Sequence, residues 1–381
     1  MQPRLATGDC FDVLVVGGGP AGSSAARAAA EEGASVLMID KRMSIGEPAQ
    51  CAGYVPQLLV RDVDALGNAV VQEVDTLTSF MPNGEVLESR APGYIVDRVK
   101  FDRGLAGRAS SLGVIILTST KALSKHHDLV KMRGPRGEFE VRCSVVVGAD
   151  GPISTVGSWI GQRNRKLMVG LQDTVRMRGS SRAAEAWFGR EYRCGYAWLF
   201  PRGELAHVGV AIQSPARGTT REALERFKTG LGKRIGEVVD RTAGLVPVGG
   251  PIKSADDARR IILVGDAAGQ THPITGGGIL QAVICGAAAG HQAAAAARGR
   301  DSAFADYEAR CRNEFGMVLA RATSRREKME SEWDRGDLSA LLRLCWVGSR
   351  NYYLDPVQTI GTRSSAVSFP GLTTRRYGLR P

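Results

Sequence analysis

The chain has 381 residues, a formal net charge of +11, 43% hydrophobic residues and 23% charged residues. This length can bury a large core in two closely joined domains, and no apolar run approaches the roughly 20 residues needed to span a bilayer. The positive charge fits an anionic lipid surface, an acidic partner or simply a solvated face, whereas nucleic-acid binding is disfavoured because no basic stripe with interleaved aromatics is present.

The N-terminal segment predicts a buried strand over 11–16 that runs into a Gly-x-Gly-x-x-Gly turn and an alanine-rich helix. Gly17 allows the tight turn, Gly19 lets backbone approach a pyrophosphate, and Gly22 lets the helix pack closely on the strand. The first helical turn and its dipole would then face phosphate groups.

A second strand is predicted over 35–39 and ends at Asp40, where a carboxylate can accept hydrogen bonds from a ribose hydroxyl. A glycine-rich turn alone is weak evidence for a nucleotide site. Strand, turn, helix, strand and acid in this order predict a dinucleotide-binding βαβ unit.

Two later segments repeat the pattern of an apolar strand followed by a glycine and an acid. One strand leads to Asp150, and the other leads to Asp266 and then to a glycine-rich helix start at 276–279. An acid at the end of a parallel strand can reach a ribitol or ribose hydroxyl, and the helix start can bind a pyrophosphate or the flavin edge. Three such sites in this order resemble the FAD-binding fold of the p-hydroxybenzoate hydroxylase class of flavoproteins.

That resemblance implies further contacts to FAD. Arg98 matches an arginine that reaches the FAD phosphates, although it could instead be an exposed helix-cap arginine. Ala122, in a strand-like stretch over 117–122, matches a backbone contact to the adenosine. The glycines at 230–236 have the wrong spacing for a second nucleotide site, so we expect an external electron donor, either NAD(P)H or a small electron carrier.

Two motifs resemble the geranylgeranyl reductase family, which includes the archaeal digeranylgeranylglycerophospholipid reductases. The loop over 46–53 is similar to the family's Gly-x-Pro-x-x-Cys loop, which places Cys51 beside the flavin as a candidate catalytic residue. The Tyr196-Ala-Trp198-Leu-Phe200-Pro segment is similar to a motif that lines the family's lipid cavity. On a strand its three rings share one face, which could equally be sheet core, just as Cys51 could be a buried small hydrophobe.

The pattern and the resemblance together assign FAD contacts to Gly17, Gly19, Ala21, Gly22, Asp40, Lys41, Cys51, Ala52, Arg98, Ala122, Asp150, Asp266, Gly277, Gly278 and Ile279. The sequence departs from the family in having aspartate rather than glutamate at position 40. Its glycine after Cys51 comes one residue early, Tyr54 adds bulk near the flavin, and the C-terminal third is short. These departures affect the expected isoprenoid substrate more than the expected FAD.

The predicted fold is α/β, with a Rossmann-like FAD-binding domain, an inserted antiparallel-sheet substrate domain and a helical C-terminal region. The FAD domain would comprise 1–50, 91–159 and 256–300. The substrate domain would comprise 51–90 and 160–255, and the helical region 301–381.

The leading functional hypothesis is an FAD-dependent reductase that transfers hydride from reduced flavin to C=C bonds of an isoprenoid or other apolar substrate. The alternative is a monooxygenase that hydroxylates an aromatic substrate, including an aromatic residue of a protein, through a flavin C4a-hydroperoxide. A third hypothesis is an electron-transfer protein. The fold alone does not separate these chemistries.

The cysteines and histidines predict no metal site. The seven cysteines form no Cys-x-x-Cys pair and the five histidines form no ligand cluster, so a disulfide framework is not expected either. We expect a cytoplasmic protein without a signal peptide, or one held peripherally at an anionic membrane, acting on an apolar small molecule or lipid and served by an electron-donor protein or small carrier.

Overall fold

A computed structural model of the protein describes residues 8–61, 68–213 and 218–354. The strands in these residues are β1 (Cys10–Val16), β2 (Val36–Ile39), β3 (Tyr54–Pro56), β4 (Val70–Phe80), β5 (Val86–Val96), β6 (Ile115–Leu117), β7 (Lys121–His126), β8 (Leu129–Gly134), β9 (Gly137–Gly148), β10 (Leu167–Met177), β11 (Ala183–Trp187), β12 (Tyr196–Arg202), β13 (Leu205–Gln213), β14 (Ile235–Pro247), β15 (Ala255–Asp256) and β16 (Ile261–Leu263). The α-helices are α1 (Pro20–Glu31), α2 (Arg98–Ser111), α3 (Thr155–Trp159), α4 (Thr219–Leu231), α5 (Ile279–Ala297), α6 (Ala303–Cys311), α7 (Met317–Glu332) and α8 (Leu338–Cys345).

The first sheet has five parallel strands in the order β16-β9-β1-β2-β6, with β15 antiparallel at one edge. Successive residues of β1 are buried on opposite faces. Val13 and Val15 pack with α1, α5 and α6, while Leu14 and Val16 pack under α3 and the antiparallel β7-β8-β9 extension. Burial on both faces explains why these strands are continuous apolar runs rather than alternating ones.

The second sheet is mostly antiparallel, in the order β14-β10-β13-β12-β11-β4-β5-β3, with β11 parallel to β4. Ala197 and Leu199 of β12 are fully buried against α4. The opposite face of β12 and β13 is turned toward the C-terminal helices and the loop that precedes α5. This geometry follows from the alternation of side chains along a strand.

The C-terminal helices pack against the second sheet. Arg326 of α7 is 1% exposed and donates hydrogen bonds to the carbonyl oxygen of Cys194 and to the Gln213 side chain, both at 2.6 Å. Trp333 and Trp346 fill the core between these helices and the sheet. The predicted helical region is helical over α6 to α8, while residues 355–381 lie outside the described part of the chain.

Helix α5, with 19 residues, is long and apolar enough to cross a membrane by length and composition. The expectation that no apolar run approaches this length is therefore wrong for α5. Its apolar character comes mainly from alanine, and the helix packs against α1 in the core.

The fold-class prediction is confirmed, since the structure is a mixed α/β protein with two sheets. The first sheet draws its strands from residues 10–39, 115–148 and 255–263, and the second from 54–96 and 167–247. The exact domain boundaries stay a prediction. One local expectation differs: the strand-like stretch over 117–122 is broken, with β6 ending at Leu117 and β7 beginning at Lys121.

Two glycines of α5 let it lie directly on α1. A Cβ at Gly286 would stand 2.5 Å from the carbonyl oxygen of Ala21, and one at Gly290 would overlap the carbonyl oxygen of Ala25. The two helices therefore run side by side at backbone contact distance.

We expect Gly290→Ala to lower the free energy of unfolding by about 1–3 kcal/mol, because the added methyl group must push the helices apart. Gly107→Ala is the matched control, since Gly107 is an exposed position of α2 with no atom near its Cβ position. It should stabilise the protein by about 0.5–1 kcal/mol. Urea denaturation measures both, and equal effects of the two substitutions would contradict the close-packing argument.

Candidate functional site

The glycine-rich turn lies between β1 and α1 and has the geometry of a phosphate cradle. Gly17 has φ +108°, and a Cβ at Gly22 would overlap the carbonyl oxygen of Gly17, so both positions require glycine. A Cβ at Gly19 would meet nothing within 4 Å. The turn is thus tight toward the protein and open at Gly19, which leaves room for a phosphate group.

Two helix N-termini meet at this edge of the first sheet without side-chain caps. Helix α1 begins after Gly19 and α5 begins after Gly278, and neither has a side-chain cap, whereas α2 and α3 are capped by Asp97 and Ser154. Both starts adjoin Gly265, where an added Cβ would lie 2.9 Å from Ala21 and 3.9 Å from Ala282. Uncapped backbone N–H groups at two converging helix starts suit an anionic pyrophosphate and the polar edge of a flavin.

Arg98 and Asp266 face each other across this edge. Arg98 makes a two-point ion pair with Asp102, at 3.0 Å and 2.9 Å, and its side chain is only 15% exposed. Burial lowers the pKa of Arg98, but Asp102 and Cys51 outweigh burial and raise it, so the guanidinium stays charged. Arg98 is thus held rigidly rather than exposed at a helix cap.

Asp266 follows β16 and is fixed by its neighbours. Its Oδ1 accepts a hydrogen bond from the Thr271 hydroxyl at 2.8 Å, and a Cβ at Gly278 would lie 3.5 Å from that oxygen. Burial raises the pKa of Asp266, while Thr271 and the charge of Arg98 oppose the increase. The carboxylate therefore stands at the start of α5, together with Gly277, Gly278 and Ile279.

Two predicted acids are engaged by backbone groups. Asp40 accepts hydrogen bonds from the N–H of Gly18 and of Arg42, both at 2.7 Å, which brings it to the glycine turn. Asp150 accepts from the Ser154 hydroxyl at 2.5 Å and from the first N–H groups of α3. Asp150 thus binds the N-terminus of α3. The position of Asp150 after β9 did not predict these hydrogen bonds.

The residues that the sequence assigns to the adenosine end of FAD lie beyond the end of β2. The N–H of Thr120 donates to the carbonyl oxygen of Asp40 at 2.8 Å, so buried Ala122 in β7 is close to that end of the sheet. Lys41 is exposed next to Asp40. The structure brings these residues to the same side as Asp40, and their contacts to FAD stay predictions.

Cys51 is half-buried in the loop that follows β2, and its thiol lies beside Arg98. The N–H of Gly53 donates to Cys51 Sγ at 3.4 Å, and the Cys51 side chain is one of the groups that raise the pKa of Arg98. Burial raises the pKa of Tyr196, and the nearby Cys51 side chain adds to the increase. The candidate catalytic thiol therefore lies near both a fixed cation and the aromatic strand.

The three rings of β12 share one face, as predicted. Tyr196 is 9% exposed, while Trp198 and Phe200 are partly exposed. The Tyr196 hydroxyl donates to the carbonyl oxygen of Thr275 at 2.6 Å, and Trp198 Nε1 donates to Gln172 at 3.2 Å. The aromatic face is thereby tied to the loop that precedes α5.

Other rings pack at both ends of this face. Trp346 and Phe188 lie tilted against Tyr196 with ring centroids at 5.3 Å and 6.0 Å, and Tyr54 meets Phe200 edge-on at 6.4 Å. At Trp198 the neighbouring strand carries Gly209, where an added Cβ would overlap the indole. The Tyr196 end thus belongs to the core, while the other two rings form a broad apolar wall.

Sequence reasoning missed two buried histidines in this region. His207 Nδ1 lies 3.1 Å from the carbonyl oxygen of Ala52, and burial lowers its pKa to about 4. His272 Nδ1 accepts from the N–H groups of Ile274 and Thr275, and burial also lowers its pKa to about 4. A signal for His207 was present in the sequence. If the turn is placed at 203–204, the two strands of the hairpin pair so that His207 lies opposite Phe200.

Among the residues that the structure describes, no group of three or more His, Cys, Asp or Glu side chains could hold a metal ion. The cysteines described are all free. The groups that form the candidate site are the backbone N–H groups of the helix starts, Arg98, Asp266 and the aromatic wall.

The family model for FAD dependent oxidoreductases matches residues 12–54, which contain the glycine turn and the cysteine loop. A digeranylgeranylglycerophospholipid reductase of Methanosarcina mazei is 35% identical over 371 residues, covering 91% of this chain and 87% of the relative. The chain belongs to the digeranylgeranylglycerophospholipid reductase family. The resemblance inferred from the two motifs is confirmed.

Solved structures agree with this family. A geranylgeranyl bacteriochlorophyll reductase-like protein from Thermoplasma acidophilum has a TM-score of 0.79 at 27% identity, covering 90% of this chain and 92% of that chain. A myxobacterial chondrochloren halogenase has a TM-score of 0.68 at 19% identity, covering 87% of this chain and 86% of that chain, and so shares the fold alone. This member of the reductase family is an FAD-dependent oxidoreductase.

We expect Arg98→Ala and Asp266→Ala each to weaken FAD binding by at least about tenfold, because each removes a charged group from the cofactor edge. FAD content of the purified, folded protein measures this. Asp256→Ala is the control, since Asp256 lies opposite Ile261 at the start of β16, pairs with Arg259 and should keep full FAD. Full flavin in both test variants would show that the cofactor positions are wrong.

A second expectation concerns pH. The pKa of His272 is about 4 in the fold against 6.5 in the unfolded chain, so the unfolded chain binds the proton first. Stability contributed by neutral His272 is complete above pH 6.5 and is lost as pH falls toward 4, at about 1.4 kcal/mol per pH unit. His272→Gln should flatten this slope in denaturation curves, whereas exposed His126→Gln should not. Parallel curves for His272→Gln and wild type would contradict the buried neutral ring.

Proposed function

We propose that this protein reduces C=C bonds in the isoprenoid chains of an apolar lipid, using reduced FAD as the hydride source. The observation that carries the proposal is the convergence of three features at one edge: the uncapped helix starts, the Cys51–Arg98 pair and the aromatic wall of β12. Relatives 32–35% identical to this chain are named digeranylgeranylglycerophospholipid reductases, which supports an isoprenoid lipid as substrate.

Bound FAD supplies the redox chemistry, and the protein supplies binding and orientation. Gly17, Gly19 and the start of α1 would hold the pyrophosphate, with Arg98 nearby. The start of α5 and Asp266 would hold the flavin end. The half-buried rings of Trp198 and Phe200 would then hold an extended apolar chain against the flavin, because such a wall favours hydrocarbon without fixing polar groups.

Cys51 is the candidate proton donor. Saturation of an alkene needs a proton at the carbon that does not receive hydride. The Cys51 thiol carries a dissociable proton at the loop between the cofactor edge and the aromatic wall. The fixed charge of Arg98 would stabilise the thiolate left after donation, and solvent would return the proton.

The electrons, the location and the partners are also part of this proposal. We infer an external electron donor, NAD(P)H or a small carrier, because the sequence has one dinucleotide fingerprint and no second one. A net charge of +11 supports a cytoplasmic protein that contacts an anionic membrane surface, where a lipid substrate is found.

The test is anaerobic turnover of the FAD-loaded, chemically reduced protein with a geranylgeranyl glycerophospholipid. Reoxidation of the flavin with formation of the saturated lipid would support the proposal. No reaction with the lipid, combined with oxygen-dependent hydroxylation of an added aromatic compound, would overturn it in favour of the monooxygenase.

In this assay we expect Cys51→Ser to slow lipid reduction by at least about tenfold, because a hydroxyl is a much weaker acid than a thiol. Cys10→Ser, an exposed change at the start of β1, is the matched control and should leave the rate unchanged. A normal rate for Cys51→Ser would remove Cys51 from the mechanism.

We expect Trp198→Ala to lower kcat/KM for the lipid while the FAD content stays intact. Loss of FAD or of folding in this variant would show that the ring is a core residue.

A further inference from the structure

The hairpin of β12 and β13 contacts the cofactor side of the molecule at two points. The strands pair antiparallel, with Phe200 directly opposite His207 and a tight turn at Gly203. His207 and Phe200 therefore lie on the same face of the sheet, the face with the aromatic wall. Nothing in the proposed chemistry so far uses His207.

The first contact is between His207 and the cysteine loop. His207 is 8% exposed, and its Nδ1 lies 3.1 Å from the carbonyl oxygen of Ala52, the residue after Cys51. A carbonyl oxygen only accepts, so Nδ1 carries the proton and donates. This bond anchors the loop to β13 of the second sheet at a position adjacent to the thiol.

The second contact is between Arg202 and the start of α2. An Arg202 guanidinium nitrogen lies 2.9 Å from Asp97 Oδ2, and both side chains are less than one quarter exposed. The other oxygen of Asp97 accepts the N–H of Lys100 and caps the helix that begins with Arg98. The same hairpin therefore anchors the helix that carries the arginine next to Cys51.

The two anchored segments are also joined to each other. The N–H of Val96 donates to the carbonyl oxygen of Gly53 at 2.9 Å, which links the cysteine loop to the residues just before α2. The loop thus lies against Arg98 and is bonded to the second sheet at two successive residues, at Ala52 through His207 of β13 and at Gly53 through Val96 of β5. Of these two bonds, only the one from His207 uses a side chain.

We propose that His207 is a positioning residue which, with Arg202 as second anchor of the hairpin, sets the placement of the Cys51 thiol against Arg98. His207 acts through the carbonyl group of Ala52 and not on the substrate. Because Phe200 lies opposite His207, the placement of the thiol is coupled to the wall that would bind the lipid. This inference rests on the proposed function only for its effect on turnover.

The test compares His207→Phe with His207→Asn in the full-length, FAD-loaded protein. Phenylalanine keeps a ring in the same space without a donor, whereas the amide of asparagine can still donate to the carbonyl oxygen of Ala52. The readout is the rate of alkylation of Cys51 by iodoacetamide in native buffer, followed by mass spectrometry of its peptide. Exposed Cys10 in the same sample is the internal reference.

We expect His207→Phe to raise the alkylation rate of Cys51 by at least about threefold relative to Cys10, because the loop loses a buried hydrogen bond. His207→Asn should restore a rate close to wild type. An unchanged rate in His207→Phe would overturn the proposal, because the ring would then act by shape alone. Equal rates in the two variants would also overturn it, because the donor that asparagine retains would then make no difference.

If His207→Phe does not fold, Arg202→Gln replaces it, since loss of the second anchor should also raise the alkylation rate of Cys51. An unchanged rate there overturns the proposal. Alkylation needs no substrate, so this result is independent of the proposed reaction. Wild-type protein that fails to reduce lipid would refute the function and leave the positioning role to be judged by alkylation alone.

Discussion

The structure depends on the close approach of α1 and α5, which is possible only because glycine replaces a side chain at each crossing point. Gly22 lets α1 pack on the turn after β1, and Gly286 and Gly290 let α5 lie on α1. With this spacing both helices begin at the same edge of the first sheet. The uncapped N–H groups, Asp266 and the cysteine loop are all arranged around that pair of helix starts.

Much of this edge was predictable from the sequence because its signals are local. The strand before Gly17, the helix after it and the acid at position 40 follow one another within about thirty residues of a βαβ unit. The turn after β16 likewise has its acid and its glycines close together in the chain. Burial of the sheet on both faces agrees with the unbroken apolar runs at 13–16 of β1 and 145–147 of β9.

The rest could not be predicted because it arises from long-range pairing. The alternation of Tyr196, Trp198 and Phe200 predicted a shared face, but not which helices close one end of it. The Asp150 carboxylate has a strand-to-turn position like that of Asp266, yet its oxygens are engaged at the start of α3. His207 meets Ala52 across 155 residues of sequence, and no local pattern encodes such a contact.

The pairing of α1 with α5 also constrains the order in which parts of the chain can fold. β1 begins at Cys10, whereas α5 ends at Ala297, so the edge that is proposed to bind FAD is complete only after both distant segments have been synthesised. Until then α1 lacks α5, and the first sheet lacks β16. A nascent chain on the ribosome must therefore reach α5 before this edge can form, and in that interval apolar surface that α5 later covers stays exposed.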